Sequence, residues 1–205
     1  MDQTVFVVDD DPEIGSALGW LLESIETHVE TYTSAEAFLE AYSGRQGCLV
    51  LDVRMKGIGG LRLQEILKER GDHLPIIFIT GHGDIPMAVR AMKNGSVEFL
   101  TKPFNNQVLL EAIQRALEYN ASQQREQTKY SAVRHRLQTL TSRELEVLKA
   151  IVNGKLSKTI AFDFGISLHT VEGHRAKIMR KMRAKTLAEL ISMVLKADLG
   201  LAEVA

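Results

Sequence analysis

The stretch VFVVDDDP, residues 5–12, decides the fold. Four apolar residues run straight into Asp9, Asp10 and Asp11, and Pro12 follows. An unbroken apolar run is what a strand needs when both of its faces are covered, as in a parallel sheet flanked by helices. Three adjacent carboxylates repel one another and call for water, a cation or a partner. Pro12 suits the first turn of a helix, where its missing N–H costs nothing. The stretch therefore reads as a buried strand that opens at its carboxyl end into an acidic turn and a helix.

The pattern repeats outward from there. Apolar runs recur at TVFVV (4–8), HVETY (28–32), CLVL (48–51), IIFIT (76–80) and VEFL (97–100). Between them lie EIGSALGWLLESI, SAEAFLEAY, GLRLQEILKER and IPMAVRAMKNG, with apolar residues three or four apart. Strands alternating with amphipathic helices predict right-handed crossovers and a five-stranded parallel sheet with both faces covered. Pro12, Pro75, Pro86 and Pro103 fall at the expected element boundaries. Residues 106–136 hold no glycine or proline and turn from amphipathic to Gln-, Arg- and Glu-rich. They predict a fifth helix running on as a semi-rigid linker, with a disordered tether as the alternative.

From Leu140 onward no strand is expected. LTSRELEVLKAIVNG starts at a Thr141 or Ser142 cap and ends at Gly154, and LSKTIAFDFG ends at Gly165. ISLHTVEGHRAKIMRKM is capped by Ser167, and TLAELISMVLKADLG is capped by Thr186 and stops near Gly200. The expected organisation is an α/β domain over 1–120, a helical linker over 121–136 and an all-α four-helix domain over 137–205.

Charge separates the same two parts. Residues 1–120 carry 10 Lys and Arg against 18 Asp and Glu, a net −8, whereas 121–205 carry 15 against 8, a net +7. An acidic half joined to a basic half suggests two tasks, and the basic half has the charge to face nucleic acid. No apolar stretch approaches the ~20 residues that span a bilayer, so a membrane role is not expected. Nor does the N-terminus read as a secretion signal. Cys48 is the only cysteine, it opens the apolar run CLVL, and it fits a buried thiol in a reducing cytoplasm.

In a doubly wound parallel sheet, ligands bind beyond the carboxyl ends of the strands. The residues at those ends are Asp9 and Asp10 after the first strand, Asp52 after the third, Thr80 after the fourth and Lys102 after the fifth. Singly, each has an ordinary use: helix capping for the acids, a strand end for Thr80, a surface lysine for Lys102. Together they would gather three carboxylates, a hydroxyl and an ammonium at one edge. Such an all-oxygen acidic site suits Mg²⁺. A carboxylate there can form an acyl phosphate, with Lys102 and the cation offsetting phosphoryl charge.

VVDDD, LVLDVRM, FITGHGD and EFLTKPF resemble the receiver domain of two-component response regulators, over residues 4 to about 120. The resemblance implies a flavodoxin-like fold in which Asp52 accepts phosphate from a sensor histidine kinase. It implies Mg²⁺ held by Asp10 and Asp52, by the backbone carbonyl of Arg54, and by Asp9 through water. It also implies a switch pair, Thr80 and Phe99, and a cis Lys102–Pro103 bond. There are two departures: Lys56 stands where proline is usual after RM, and Gly81 where alanine is more frequent. Two glycines near the switch, Gly81 and Gly83, are expected to make that loop more mobile and so to change the lifetime of the phosphorylated state.

LSKTIAFDFGISLHTVEGHRAKIMRKM reads as a helix-turn-helix, with the turn at Gly165–Ser167. On a helical wheel Val171, His174, Ile178 and Met182 share the inner face. His169, Gly173, Ala176 and Arg180 lie opposite, flanked by Glu172 and Lys177. Small residues at 173 and 176 would let the helix backbone approach base edges. LTSRELEVL, SKTIA, ISLHTVEGHRAKIMRKM and AKTLAELI resemble the LuxR/GerE-type four-helix DNA-binding domain, and the whole chain looks like a FixJ-type transcriptional regulator. Candidate contacts to double-stranded DNA are Lys158, Thr170, Glu172, Gly173, Ala176, Lys177 and Arg180. The resemblance further implies a last helix offering Leu187, Leu190, Ile191 and Val194 to a dimer. Homodimerisation on phosphorylation is expected through the fourth helix and fifth strand of the first domain, around Ile85, Val89, Met92 and Val97 next to Thr80 and Phe99, with RNA polymerase as a further partner. Gly173 departs from the larger residue usual there.

Two other functions compete. A haloacid-dehalogenase-like phosphatase would need a second acid two residues beyond its nucleophile, and Arg54 stands there, so an enzyme is not expected. A DNA-binding module working without phosphate would have no use for an intact acidic site.

Overall fold

The computed structural model describes residues 3–23 and 26–197, which fall into two compact units divided between Gln124 and Arg125. In the first unit β1 (Thr4–Val8), β2 (His28–Tyr32), β3 (Gly47–Asp52), β4 (Ile76–Thr80) and β5 (Glu98–Thr101) alternate with α1 (Pro12–Glu23), α2 (Ala35–Ala41), α3 (Gly60–Glu69) and α4 (Ile85–Lys93). Every strand pair is parallel and the order is β2-β1-β3-β4-β5. This is the doubly wound flavodoxin-like arrangement, whose order reverses between β1 and β3. Asp9, one residue past β1, and Asp52, the last residue of β3, sit at that reversal.

The strands' two-residue period divides the core in two. Phe6, Val8, Leu49, Leu51 and Phe78 face one side and pack with Phe38 of α2, Leu63 and Leu67 of α3 and Ala91 of α4. Val5, Val7, Cys48, Val50, Ile77 and Ile79 face the other and pack with Leu18 and Leu22 of α1 and with Leu109, Ala112 and Ile113 of the fifth helix. Burial pushes the Cys48 thiol up to about 12, so it stays a neutral core group. β2 departs from the expectation of strands covered on both faces: it is an edge strand with no fully buried residue. Its outer side is charged, with Glu30 held by both guanidinium nitrogens of Arg45, and such charge discourages further strand pairing.

Helix α5 (Asn106–Gln138) is one continuous element of 33 residues, as the absence of glycine and proline predicts. Its far end is not merely a spacer. Tyr130, Val133 and Leu137 pack into the core of the second unit, and Arg136 donates to the Met182 carbonyl. Three apolar residues at helical spacing within a polar run were enough to recruit it.

The second unit adds α6 (Ser142–Val152), α7 (Ser157–Phe164), α8 (Leu168–Met182) and α9 (Leu187–Lys196). Their starts follow local chemistry. Thr141 and Glu144 form a reciprocal capping box, and Ser167 and Thr186 each accept a backbone N–H of the first turn. Gly165 ends α7 in the left-handed conformation that glycine adopts freely. The stop expected near Gly200 lies outside the described residues, and α9 ends at Lys196.

The apolar face of α9 differs from expectation. Leu190 and Val194 are 0% and 1% exposed and belong to the core, leaving Leu187 and Leu195 as its exposed leucines. Two of the four residues expected at a dimer surface are thus consumed by the fold itself.

Candidate functional site

The acids of the opening stretch have distinct surroundings. Asp9 is buried, and its carboxylate accepts the Asp11 N–H at 3.0 Å and the Lys102 ammonium at 2.6 Å. Asp52, also buried, accepts Lys102 at 2.8 Å through one oxygen and the Arg54 N–H at 2.7 Å through the other. Asp10 is exposed, and Asp11 turns back to accept the Glu13 N–H of α1. Lys102 thus bridges carboxylates 93 and 50 residues away in sequence. Its position follows from the sheet: the Lys102 N–H donates to the Thr80 carbonyl at 2.7 Å, continuing the β4–β5 ladder, and the Lys102–Pro103 bond is cis.

Burial pushes the Asp9 carboxyl above its ordinary range, against the opposing pull of Lys102 and the Asp11 N–H. Burial lowers the Lys102 ammonium, but its bonds to Asp52 and Asp9 outweigh this and hold it above its ordinary value. Three carboxylates against one ammonium leave the pocket two charges negative. Among the described residues no three acid, histidine or cysteine side chains converge as a preformed metal cage, and Lys102 is paired with two of the acids. Exposed Asp10 and the Asp52 carboxylate are hard oxygen donors, the chemistry that suits Mg²⁺, an ion that keeps several of its waters and needs no complete protein cage.

Thr80 is fully buried at the end of β4, and its hydroxyl accepts the His82 N–H at 3.3 Å. Phe99 is half-buried on β5, its ring centroid 6.2 Å from that of Phe78. Arg54 and Lys56 lie on the β3–α3 loop, Arg54 exposed and Lys56 exposed. Sequence reasoning missed Gly60. A Cβ there would lie 2.2 Å from the Asp52 carbonyl oxygen, so only glycine lets α3 start this close behind the acid. A glycine opening a helix just after an acidic strand end was the available signal.

In the second unit the outward face of α8 is as the wheel predicts. Val171, Ile178 and Met182 are buried, while His169, Thr170, Glu172, Gly173, Ala176, Lys177 and Arg180 are exposed, as is Lys158 in the first turn of α7. Thr170 is less free than expected: its N–H and hydroxyl both engage Ser167 Oγ, at 3.1 and 2.8 Å. His174 is half-buried, with a buried Nδ1 lacking a hydrogen-bond partner. Lys181 is withdrawn from any ligand, since it donates to buried Glu144 at 2.6 Å and to the Thr139 carbonyl. This bond was not anticipated; it couples the cap of α6 to the last turn of α8.

Comparison with known proteins agrees with both units. Residues 5–114 match the family model of the response regulator receiver domain, and residues 138–194 match that of bacterial regulatory proteins of the luxR family. The chain is 46% identical to the transcriptional regulatory protein FixJ of Azorhizobium caulinodans, over 97% of this chain and 95% of that one. Among solved structures it is similar to the response regulator StyR, with 45% identity and a TM-score of 0.85 over 96% of this chain and 100% of that one. It is also similar to full-length FixJ from B. japonicum, with 35% identity and a TM-score of 0.57 over 98% of each chain. With strand order, acidic pocket and helix-turn-helix agreeing with these matches, the chain belongs to the FixJ-type response regulators, a receiver domain joined to a LuxR-type DNA-binding domain.

Proposed function

We propose that this protein is a transcriptional regulator switched by phosphorylation of Asp52, the phosphoryl group coming from a sensor histidine kinase. The observation that carries the reading is Lys102 bonded at once to Asp9 and Asp52 at the carboxyl ends of the strands. An Asp52 carboxylate oxygen forms the bond to phosphorus while the bond from phosphorus to the donor's imidazole nitrogen breaks, and that nitrogen takes a proton. Lys102 follows the charge as it moves onto the phosphoryl oxygens. Thr80 has a hydroxyl proton to donate to the product. Asp10, Asp52 and the Arg54 carbonyl would hold Mg²⁺, with Asp9 reaching it through water; the ion would supply positive charge against that of the phosphoryl group.

The output is binding to double-stranded DNA through the exposed face of α8, with Gly173, Ala176, Lys177 and Arg180 toward the major groove and Thr170 and Glu172 at its edge. Lys158 on α7 contacts a phosphate. Phosphorylation favours a homodimer through α4 and β5, where Ile85, Val89 and Met92 are exposed and apolar. The bound dimer acts on RNA polymerase. No described helix is long and apolar enough to cross a membrane, and work on DNA assigns the protein to the cytoplasm. It runs no catalytic cycle on a separate substrate.

Intact-mass measurement after incubation with acetyl phosphate and Mg²⁺ tests this. The wild-type chain gains one phosphate mass and Asp52→Asn gains none. A phosphorylated Asp52→Asn protein overturns the assignment.

A further inference from the structure

Gly83 lies in the loop between β4 and α4, and its backbone gives no reason for glycine, since its φ is not among the positive ones. The reason is packing. A Cβ at 83 would lie 2.9 Å from the Thr80 Cγ2 methyl and 2.9 Å from Phe99 Cε1, with Phe99 Cζ at 3.3 Å. Ordinary carbon contacts begin at about 3.5 Å, so neither neighbour could stay where it is. A Cβ at Gly81, two residues earlier, would meet nothing within 4 Å among the described residues beyond its chain neighbours. The two glycines of this loop are therefore not equivalent.

Thr80 carries its methyl and hydroxyl on one carbon, so a single χ1 rotation moves both. At present the hydroxyl accepts the His82 N–H, and the methyl and the Phe99 ring edge both border the space where a side chain at 83 would stand. A hydroxyl that turns to donate to a phosphoryl group on Asp52 must swing the methyl to another staggered position. That motion changes the space shared by residue 83 and the ring. From this, the geometry points to Gly83 as a positioning residue for the switch: its missing side chain is what allows the resting placement of both Thr80 and Phe99. A side chain at 83 selects against that placement and so shifts the receiver toward the rotated one without phosphate. This rests on Asp52 being the phosphoacceptor only for its biological meaning; the steric coupling exists in the unmodified chain.

The test is methyl and aromatic NMR on the full-length protein without phosphodonor. Gly83→Ala is expected to move the Thr80 methyl, the Phe99 ring and the His82 amide in the direction that acetyl phosphate with Mg²⁺ moves them in wild type. A change in the ratio of the two arrangements of about threefold to tenfold is expected, the size of an off-rotamer displacement. Gly81→Ala leaves the Thr80 methyl and the Phe99 ring signals in place. Phe99→Leu combined with Thr80→Ser removes all three crowded atoms, and in that background Gly83→Ala moves the His82 amide no further. If Gly83→Ala alone does not fold, the combined variant carrying it must, and its failure to fold overturns the proposal. So does a Gly83→Ala protein whose Thr80 methyl stays at its wild-type position, or an equal shift from Gly81→Ala. Failure of wild type to gain phosphate at Asp52 would sink the proposed function and leave this coupling to be judged on the unphosphorylated spectra.

Discussion

Replacing Gly173 with alanine is expected to strengthen the fold and weaken sequence-specific DNA binding. Gly173 is the sixth residue of the 15-residue α8, is exposed, and a Cβ built on it meets nothing within 4 Å. Nothing among the described residues therefore requires glycine, and a glycine in a helix interior costs about 1 kcal/mol relative to alanine. For a domain the size of the second unit, that gain raises its melting temperature by about 4–8 °C. Scanning calorimetry on the full chain reads it, and Leu190→Ala, buried in the second core, marks which transition belongs to that unit. The methyl group lies on the face assigned to the major groove. Affinity for a duplex selected from a random pool should fall by on the order of tenfold or more, comparable with the ~1–3 kcal/mol of a mismatched base pair. Affinity for an unrelated duplex at the same salt should hold, because no cation is added or removed. Destabilisation would refute the reading of open space around the helix. A stabilised variant that binds the selected duplex as tightly as wild type would refute close backbone approach.

Other expectations follow from single contacts. Asp10→Asn should weaken Mg²⁺ binding on the order of tenfold, about 1.4 kcal/mol, and more than Asp9→Asn, because Asp9 is already committed to Lys102 and Asp11; calorimetric titration with equal or reversed losses would overturn this order. Burial would raise the Glu144 carboxyl, but hydrogen bonds from Lys181 and Thr141 hold it below the usual 4.5. Its stabilisation is therefore present above pH 4.5 and lost as pH falls through the lower folded value. Denaturant unfolding should show Glu144→Gln losing stability at neutral pH and showing less acid dependence below 4.5; an unchanged acid profile would remove Glu144 from this role. Leu190→Ala should cost about 2–5 kcal/mol as a core truncation, whereas Leu187→Ala, at 41% exposed, should stay within about 0.5 kcal/mol. Equal losses would contradict the division of α9 into core and surface.

What the sequence alone determined here is whatever rests on neighbours within a few residues. The apolar run 5–8 and its acids, the caps at Thr141, Ser167 and Thr186 and the stop at Gly165 are local chemistry, so they were legible before any fold existed. The alternation of strands and helices added the parallel sheet, and the rule for strand ends assembled Asp9, Asp52, Thr80 and Lys102. Tertiary structure decided what depends on partners far along the chain. Periodicity shows that a helix has an apolar side but not what fills it, so it could not show that α6–α8 would claim Leu190 and Val194, or that Val133 of the polar stretch would join them. Nor could alternation show that β2 would lie at the edge, since strand order is set by crossovers and not by composition. Proximity at the strand ends was legible, but the bonding was not. That Lys102 would hold Asp9 and Asp52 while Asp10 stayed exposed depends on side-chain directions at the reversal of the sheet. The crowding at Gly83 is likewise invisible in sequence, because it arises from three residues whose separations are fixed only once β4 and β5 pair.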